Sequence, residues 1–453
     1  MPIVARDIPV FREVAGGSAF YFTGEAPGDL ASSLKTWLGL YHERRHPGTD
    51  QLHWLTWQES AEQIKKFLFR ENILCRQLLV DVSELVQKDA KSGIQRVVRS
   101  ILSEWLNHPP AGYRVEPVYA TEDQEYRYAR RFTHRFLNSP DETLPDEPVA
   151  CAQGDIFFGL DFQPHVVFAQ RTFYQALRRQ GVRVQFAVYD LLSVMLPQHF
   201  PAWATDEFAR WLEVVAESDG AVCISRTVAN ELACWLKENE STRHASLKID
   251  WFHLGADVEH SVPTTGLPDD AKQVLDQLNA RLSFLIISTL EPRKGHHQVL
   301  EAFEQLWQSG MDVNLVIVGK QGWLVEQMVK KIRLHPELDR RLFWLDGISD
   351  EYLEKVYAAS TCLIAASEGE GFGLFLIEAA RHGLPIIARD LPVFREVAGN
   401  HAFYYNGSEP QSLANALWRW IELYRQGEAP KSEGMPRLTW EQSAGQLLKA
   451  VLE

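Results

Sequence analysis

Short apolar runs alternate with amphipathic stretches along the chain from about Leu74 onward. LLVDVS (78–83), DIFFGLD (155–161), RVQFAVYD (183–190) and AVCIS (221–225) predict strands. SGIQRVVRSILSEWL (92–106), VVFAQRTFYQALRRQG (166–181), WATDEFARWLEVVAESDG (203–220) and RTVANELACWLKE (226–238) predict the helices between them. Strands spaced by helices of this length imply parallel βαβ units. SVPTTGLPDD (261–270) reads as a linker, after which FLIISTL, VNLVIVGK, LFWLDG, TCLIAAS and PIIARD restart the alternation. The expected fold is α/β: two doubly wound, Rossmann-like domains facing each other across a cleft, over residues 74–262 and 263–435. Residues 436–453 are expected as a helix that crosses back to the first domain. In such sheets ligands bind at the carboxyl ends of the strands, so the residues that follow each strand carry the functional expectations.

The first 70 residues do not continue this series. PIVARDIPVFREVAGGSAFYF at Pro2–Phe22 pairs without a gap with PIIARDLPVFREVAGNHAFYY at Pro385–Tyr405, and LTWQESAEQ at Leu55–Gln63 pairs with LTWEQSAGQ at Leu438–Gln446. Roughly 30 of about 70 paired positions are identical, far beyond a chance match. Residues 1–70 are therefore expected to be the closing segment of a preceding module of the same kind. The alternative is a small domain that diverged to stand alone. On the first reading this segment cannot carry the chemistry that lies before Pro385 in the full copy.

Composition narrows the chemistry. A formal net charge of -14 over 453 residues, without a long Lys/Arg run, argues against nucleic acid as a partner. An anionic ligand would have to be held by a few placed cations. Five cysteines without a CxxC pair suggest reduced thiols and no structural zinc. The expected location is the cytoplasm, or the inner face of the cytoplasmic membrane as a peripheral protein, since no apolar run reaches the ~18 residues of a span.

Two stretches offer chemistry. In SEGEGFGLFLIEAARHG (367–383) a strand runs into a turn containing Gly369, Gly371 and Gly373, and a helix begins near Leu374. Glycines allow close backbone approach, and a helix start offers N–H groups to an anion such as phosphate. Glu370 in the turn and Glu378 in the helix could meet the two ends of one elongated ligand; taken singly, Glu370 reads better as a solvated loop carboxylate and Glu378 as a surface helix residue. EPRKG (291–295) places Arg293 and Lys294 after the first strand of the second half, at a helix start, where paired cations suit a diphosphate.

These stretches, with VIVGK and LDGISDEYLEKVYAAS between them, resemble the second domain of family 4 retaining glycosyltransferases of the GT-B fold, and the resemblance runs from Leu74 to Glu453. It implies that Glu370 contacts the donor sugar and supports the charge that develops in transfer. Glu378 is implied to bind the ribose hydroxyls, and Arg293 and Lys294 to hold the leaving diphosphate. Gly371, Phe372, Gly373 and Leu374 are implied to complete the donor cradle, with Gly347, Ser349 and Asp350 near the nucleobase and Gly93 of SGIQR facing the diphosphate from the first domain. Phe375 stands where the family commonly has Pro, and Thr289 or Leu290 stands where many members have Arg, a place that Arg293 would take. The sequence holds no Asp-x-Asp, and the family's chemistry needs neither metal nor cofactor, so no bound cation is expected.

For the acceptor, Asp161 and Asp190 follow strands and could meet sugar hydroxyls, or could equally cap the next helix. Ser225 is expected as an N-cap, and His165 and His199 carry no assigned chemistry. The tandem organisation resembles bifunctional bacterial mannosyltransferases that polymerise O-antigen mannans. That implies transfer of mannose from GDP-mannose to an oligosaccharide or lipid-linked acceptor with an α linkage, 1,3 favoured over 1,2. It also implies an upstream transferase module of the same polypeptide and a membrane-associated assembly partner. The rival readings are an inactive docking module, a transferase using another nucleotide sugar, and an epimerase or phosphorylase on the same fold.

Overall fold

The computed structural model describes residues 1–50, 52, 54–61, 75–89, 92–139, 144–239, 247–256 and 264–453. The expected boundaries at residues 70–74 and 262–263, and the end of the first repeat copy, lie outside the described residues. By its contacts the chain separates into Met1–Leu74 and Cys75–Glu453.

In the first unit the octapeptide PVFREVAG makes the helix Pro9–Ala15, between the parallel strands β1 (Val4–Arg6) and β2 (Phe20–Phe22), and the helix Pro27–His42 follows. Pro9 occupies the first helical turn, where the missing N–H would have had no partner. Gly16 ends the helix with φ 49°, a conformation that a side chain would strain. Asp7 pairs with Arg12, and the Tyr21 hydroxyl donates to the carbonyls of Phe11 (2.9 Å) and Gly16 (3.0 Å).

The second unit carries two sheets among its described residues. Strands β3 (Arg76–Asp81), β4 (Tyr113–Tyr119), β5 (Arg127–Tyr128), β6 (Ile156–Gly159), β7 (Arg183–Val188), β8 (Gly220–Cys223) and β9 (Lys248–Trp251) form one, in the order β5-β4-β3-β6-β7-β8-β9. It is parallel except where β4 meets β5. Strands β10 (Leu282–Ile287), β11 (Val313–Val318), β12 (Leu342–Leu345), β13 (Cys362–Ala365), β14 (Ile386–Arg389) and β15 (Phe403–Tyr405) form the other, wholly parallel and in the order β12-β11-β10-β13-β14-β15. Both are doubly wound α/β sheets, as the alternating pattern predicts. In the second, all of Val313–Val318 and Cys362–Ala365 are buried, because helices cover both faces.

The helix Trp440–Leu452 packs on the helix Gly93–Asn107 of the first sheet, where the Trp105 indole N–H donates to the Ala444 carbonyl at 3.1 Å. Arg183 and Gln185 of β7 donate to the carbonyls of Leu452 (2.9 Å) and Val451 (3.0 Å). The chain thus leaves the second sheet and closes on the first.

The second octapeptide repeats the local structure of the first. It forms the helix Pro392–Ala398, ends at Gly399 with φ 52°, pairs Asp390 with Arg395 at 2.7 Å, and receives the Tyr404 hydroxyl at the carbonyls of Phe394 (3.1 Å) and Gly399 (2.8 Å). Burial separates the copies. Val393, Phe394 and Val397 are 2%, 0% and 7% exposed, against 52%, 44% and 65% for Val10, Phe11 and Val14. In the second unit that face is covered by the helices Arg226–Glu238 and Leu374–Arg381. Full burial of such side chains is worth about 1.5–3 kcal/mol each, so the same eight residues are far better stabilised in the second setting.

Candidate active site

Strand order locates the site. In the second sheet the order reverses between β10 and β13, and the two loops that leave these strands carry EPRKG and SEGEGFG. Pro292–Lys294 form a single 3-10 turn, and Gly295 follows with φ 75°. A Cβ at Gly295 would lie 2.4 Å from the Ala366 carbonyl oxygen, so only glycine lets the two loops approach this closely. The Glu368 N–H donates to the Arg293 carbonyl at 2.7 Å, tying them together.

The side chains gathered there are mostly charged. Lys294 Nζ donates to Glu370 Oε1 at 2.5 Å, Ser367 donates to the same oxygen at 2.7 Å, and Arg293 Nη1 lies 3.7 Å from Glu370 Oε2. Arg293 also pairs with Glu291 at 3.0 Å. The Glu370, Lys294 and Arg293 side chains are only 9%, 11% and 13% exposed. Burial pushes the Glu370 carboxyl up, but Lys294 and Arg293 outweigh it and hold the group below the usual carboxylate range. Asp190, after β7, senses the same cluster: burial raises its pKa while the Arg293 charge opposes the rise. Its Oδ1 accepts the Leu192 N–H at 3.0 Å, so Asp190 both starts the following helix and faces the cations. Two cations are thus buried among three carboxylates, so an anionic ligand reaching Lys294 and Arg293 would have to displace some of these pairings.

Glu378 sits in the helix Leu374–Arg381 and meets the first sheet's side of the unit. Arg96 pairs with its Oε1, and the Tyr357 hydroxyl donates to its Oε2 at 3.1 Å. Tyr357 is fixed by stacking on His382, ring centroids 4.5 Å apart. Arg96 belongs to the helix Gly93–Asn107, which follows β3 at the reversal point of the first sheet. Ser92 caps that helix and accepts the Gln95 N–H at 3.3 Å, so Gly93 stands at its first position, exposed.

The glycines of the second loop admit the first sheet. A Cβ at Gly371 would be 1.9 Å from the Tyr189 carbonyl oxygen, and one at Gly369 would be 2.5 Å from Leu192 Cδ2. Ser225 caps the helix Arg226–Glu238 by accepting the Val228 N–H at 3.1 Å, and donates to the Gly371 carbonyl at 2.8 Å. Gly373, φ 91°, precedes the helix whose first residue is Leu374, and Phe372 is buried with its ring edge against His253. The Phe372 side chain is thus committed to packing, which leaves the backbone of this turn as what it can offer a ligand.

Other expected residues are engaged in holding the fold. Asp161 is buried, its Oδ2 accepting the Leu85 N–H at 2.7 Å and its Oδ1 the Phe162 N–H at 2.9 Å; burial and the Asp81 charge move its pKa to about 7, against these bonds. Both oxygens expected to meet acceptor hydroxyls thus already accept backbone N–H groups, and the capping alternative does not describe Asp161 either: Leu85 belongs to the earlier helix Ser83–Gln87, while the helix that follows Asp161, Pro164–Ala169, has no side-chain cap. Ser349 caps the helix Asp350–Ala359 and donates to the Gly266 carbonyl at 2.5 Å, and Asp350 accepts from the Thr264 N–H (2.8 Å) and hydroxyl (2.7 Å). Both therefore anchor the 264–266 segment beside Gly347, which turns with φ 63°. His199 hydrogen-bonds Glu368 at 2.9 Å, and His165 lies 3.6 Å from Glu207. Among the described residues no cluster of His, Cys, Asp and Glu could hold a metal ion.

Sequence reasoning passes over Arg96, Tyr357, Ser367 and Glu396. Glu396, inside the octapeptide, accepts the backbone N–H groups of Arg226 (2.7 Å) and Thr227 (2.8 Å), the Thr227 hydroxyl (2.6 Å) and His253 Nε2 (2.8 Å). Burial alone would raise its pKa, but these donors hold it at about 2. The only sequence signal for Arg96 is the Ser92-x-x-Gln95 capping pattern, which fixes it in the first turns of its helix.

Residues 270–434 match the family model described as glycosyl transferases group 1. Over 377 residues, 83% of this chain and 45% of the relative, the chain is 46% identical to the serotype-specific mannosyltransferase WbdA of Escherichia coli. It is 29% identical over 136 residues, 30% of this chain and 37% of the relative, to the O-antigen chain mannosyltransferase RfbU of Salmonella typhimurium. The chain spans about half the length of the WbdA relatives it matches. The fold resembles Anabaena Alr3699/HepE in complex with UDP and glucose, with a TM-score of 0.57 at 17% identity over 83% of this chain and 98% of that one. It also resembles the catalytic domain of starch synthase IV from Arabidopsis thaliana, with a TM-score of 0.56 at 15% identity over 83% and 98%. Residues 270–434 thus match the model of the group 1 glycosyl transferases, within a chain whose two doubly wound sheets adopt the GT-B fold.

Proposed function

We propose that this chain is a retaining hexosyltransferase that moves mannose from GDP-mannose onto a growing mannan or O-antigen saccharide through an α linkage, 1,3 favoured over 1,2. The observation that carries the reading is the buried Glu370–Lys294–Arg293 cluster at the reversal point of the second sheet. The 46% identity to a mannosyltransferase supports the choice of sugar. In this account Lys294 and Arg293 take the diphosphate, the turn 371–374 supplies backbone N–H groups, and Glu378 takes the ribose hydroxyls. Glu370, released from Lys294 by the diphosphate, faces the positive charge that grows at the anomeric carbon. The bond from that carbon to the phosphate oxygen breaks, the acceptor oxygen bonds on the same face, and the departing phosphate oxygen takes the acceptor proton. Catalysis is then electrostatic support plus orientation, with no dedicated protein base. Asp190 lies beside the cluster and serves the acceptor hydroxyl. Upstream transferase sequence in the same polypeptide and a membrane-associated assembly partner belong to the same proposal.

The test is incubation with GDP-mannose, UDP-glucose, ADP-glucose or UDP-N-acetylglucosamine and a short mannoside, read by mass spectrometry. Extension with GDP-mannose alone is expected. Extension with another donor only would overturn the choice of sugar, and donor binding without product from any of them would favour a docking role.

A further inference from the structure

Glu378 has both carboxylate oxygens occupied, and its two partners differ in kind. Tyr357 is buried and held by its stack on His382. Arg96 is long, 31% exposed in its side chain, and reaches across from the first sheet's helix. A ribose diol bridges the two oxygens of a carboxylate, one hydroxyl to each, and at Oε1 it would meet the Arg96 guanidinium already in place. The backbone of Arg96 lies in the first turns of the helix that begins at Gly93, the residue that the family resemblance turns toward the diphosphate.

We propose that Arg96 is an exchangeable counter-ion of the donor site: it neutralises Glu378 when the site is empty and turns to the diphosphate when ribose takes Glu378. The proposal rests on the reading of Glu378 as the ribose contact. Arg96 then discriminates between ligands. Against a bare nucleoside it is only a competitor, because a nucleoside offers the displaced guanidinium nothing. For a nucleoside diphosphate the same displacement is rewarded with a charge-assisted hydrogen bond. A static brace between the two sheets would lack this asymmetry, since its loss would weaken both ligands alike.

The experiment measures Kd for the diphosphate among GDP, UDP and ADP that the intact chain binds most tightly, and for its nucleoside, by calorimetry and by competition NMR. Arg96→Ala is expected to bind the nucleoside at least about two-fold tighter and the diphosphate about ten-fold weaker. Arg96→Lys should recover most of the diphosphate affinity. Equal factors for both ligands, or no change in either, would overturn the proposal. Glu378→Ala separates the two layers of the argument. A loss of nucleoside affinity upholds the ribose assignment whatever Arg96 does, and unchanged nucleoside affinity removes that assignment itself.

Discussion

Replacing Lys294 with Met keeps the length of the side chain and removes its charge. At 2.5 Å and an effective dielectric of ~20, the bare attraction between Lys294 and Glu370 is about 7 kcal/mol, most of it offset by the desolvation of both groups. Loss of one partner from such a buried pair costs about 3–5 kcal/mol, because the other charge is left behind. Here Glu370 would remain beside Glu291 and Asp190 with Arg293 as the nearest cation, and its pKa should climb. The variant should lose about 3 kcal/mol of stability at pH 8. It should lose less at pH 4, where a proton can replace the missing cation. Loss of one or two charged hydrogen bonds to the diphosphate, at about 1.5–3 kcal/mol each, predicts at least a ten- to hundred-fold fall in GDP affinity. Nucleoside affinity should hold. Chemical denaturation at the two pH values and calorimetry with GDP and guanosine give these quantities. Undiminished GDP affinity in a folded Lys294→Met variant would refute the placement of the diphosphate.

Three further outcomes follow from the same geometry. Gly371→Ala sets a Cβ 1.9 Å from the Tyr189 carbonyl, a backbone atom that cannot rotate away, so the loop must shift; a soluble variant with transfer reduced at least about ten-fold is expected, checked by kinetics. Glu231 has a buried Oε2 that accepts no hydrogen bond among the described residues, and burial with the charges of Asp190 and Glu396 raises its pKa to about 7. Its proton is bound more tightly in the folded chain, so its cost is absent below about pH 4.5, grows to pH 7 and stays above it. After allowance for partial exposure, Glu231→Gln should stabilise by about 1–2 kcal/mol at pH 8 and by nothing at pH 4, read by urea denaturation. Both sheets and all the proposed donor contacts lie within residues 75–453, so removal of residues 1–74 should leave GDP affinity within about two-fold of the full chain, read by calorimetry.

What could be read from the sequence was local. The strands VNLVIV and CLIA announce themselves because covering both faces of a parallel sheet demands unbroken apolar runs. Glu370, Arg293 and Lys294 were legible because each lies within a few residues of its strand end, in motifs whose spacing is itself the signal. Arg96 and Glu396 were not, because their meaning lies in partners 282 and 170 residues away, and nothing near either residue marks the meeting. Asp161 was ambiguous for a related reason. A carboxylate after a strand has the same local sequence whether it faces a cleft or caps the next helix, and its actual partner, the Leu85 N–H, lies 76 residues earlier in the chain. The octapeptide shows the limit most plainly. Its two copies share dihedrals, ion pair and tyrosine hydrogen bonds, yet one exposes the valine and phenylalanine face that the other buries.

The central claim, that the Glu370–Lys294–Arg293 cluster is where a sugar leaves its diphosphate, is tested most directly by Glu370→Ala. Transfer to a short mannoside and GDP affinity are measured side by side on this variant and on the unmodified chain. The account predicts that transfer falls by about 10²–10³ while GDP binds no more weakly, because the carboxylate serves the transition state and its removal frees Lys294 for phosphate. Unchanged transfer by a folded Glu370→Ala chain would contradict it.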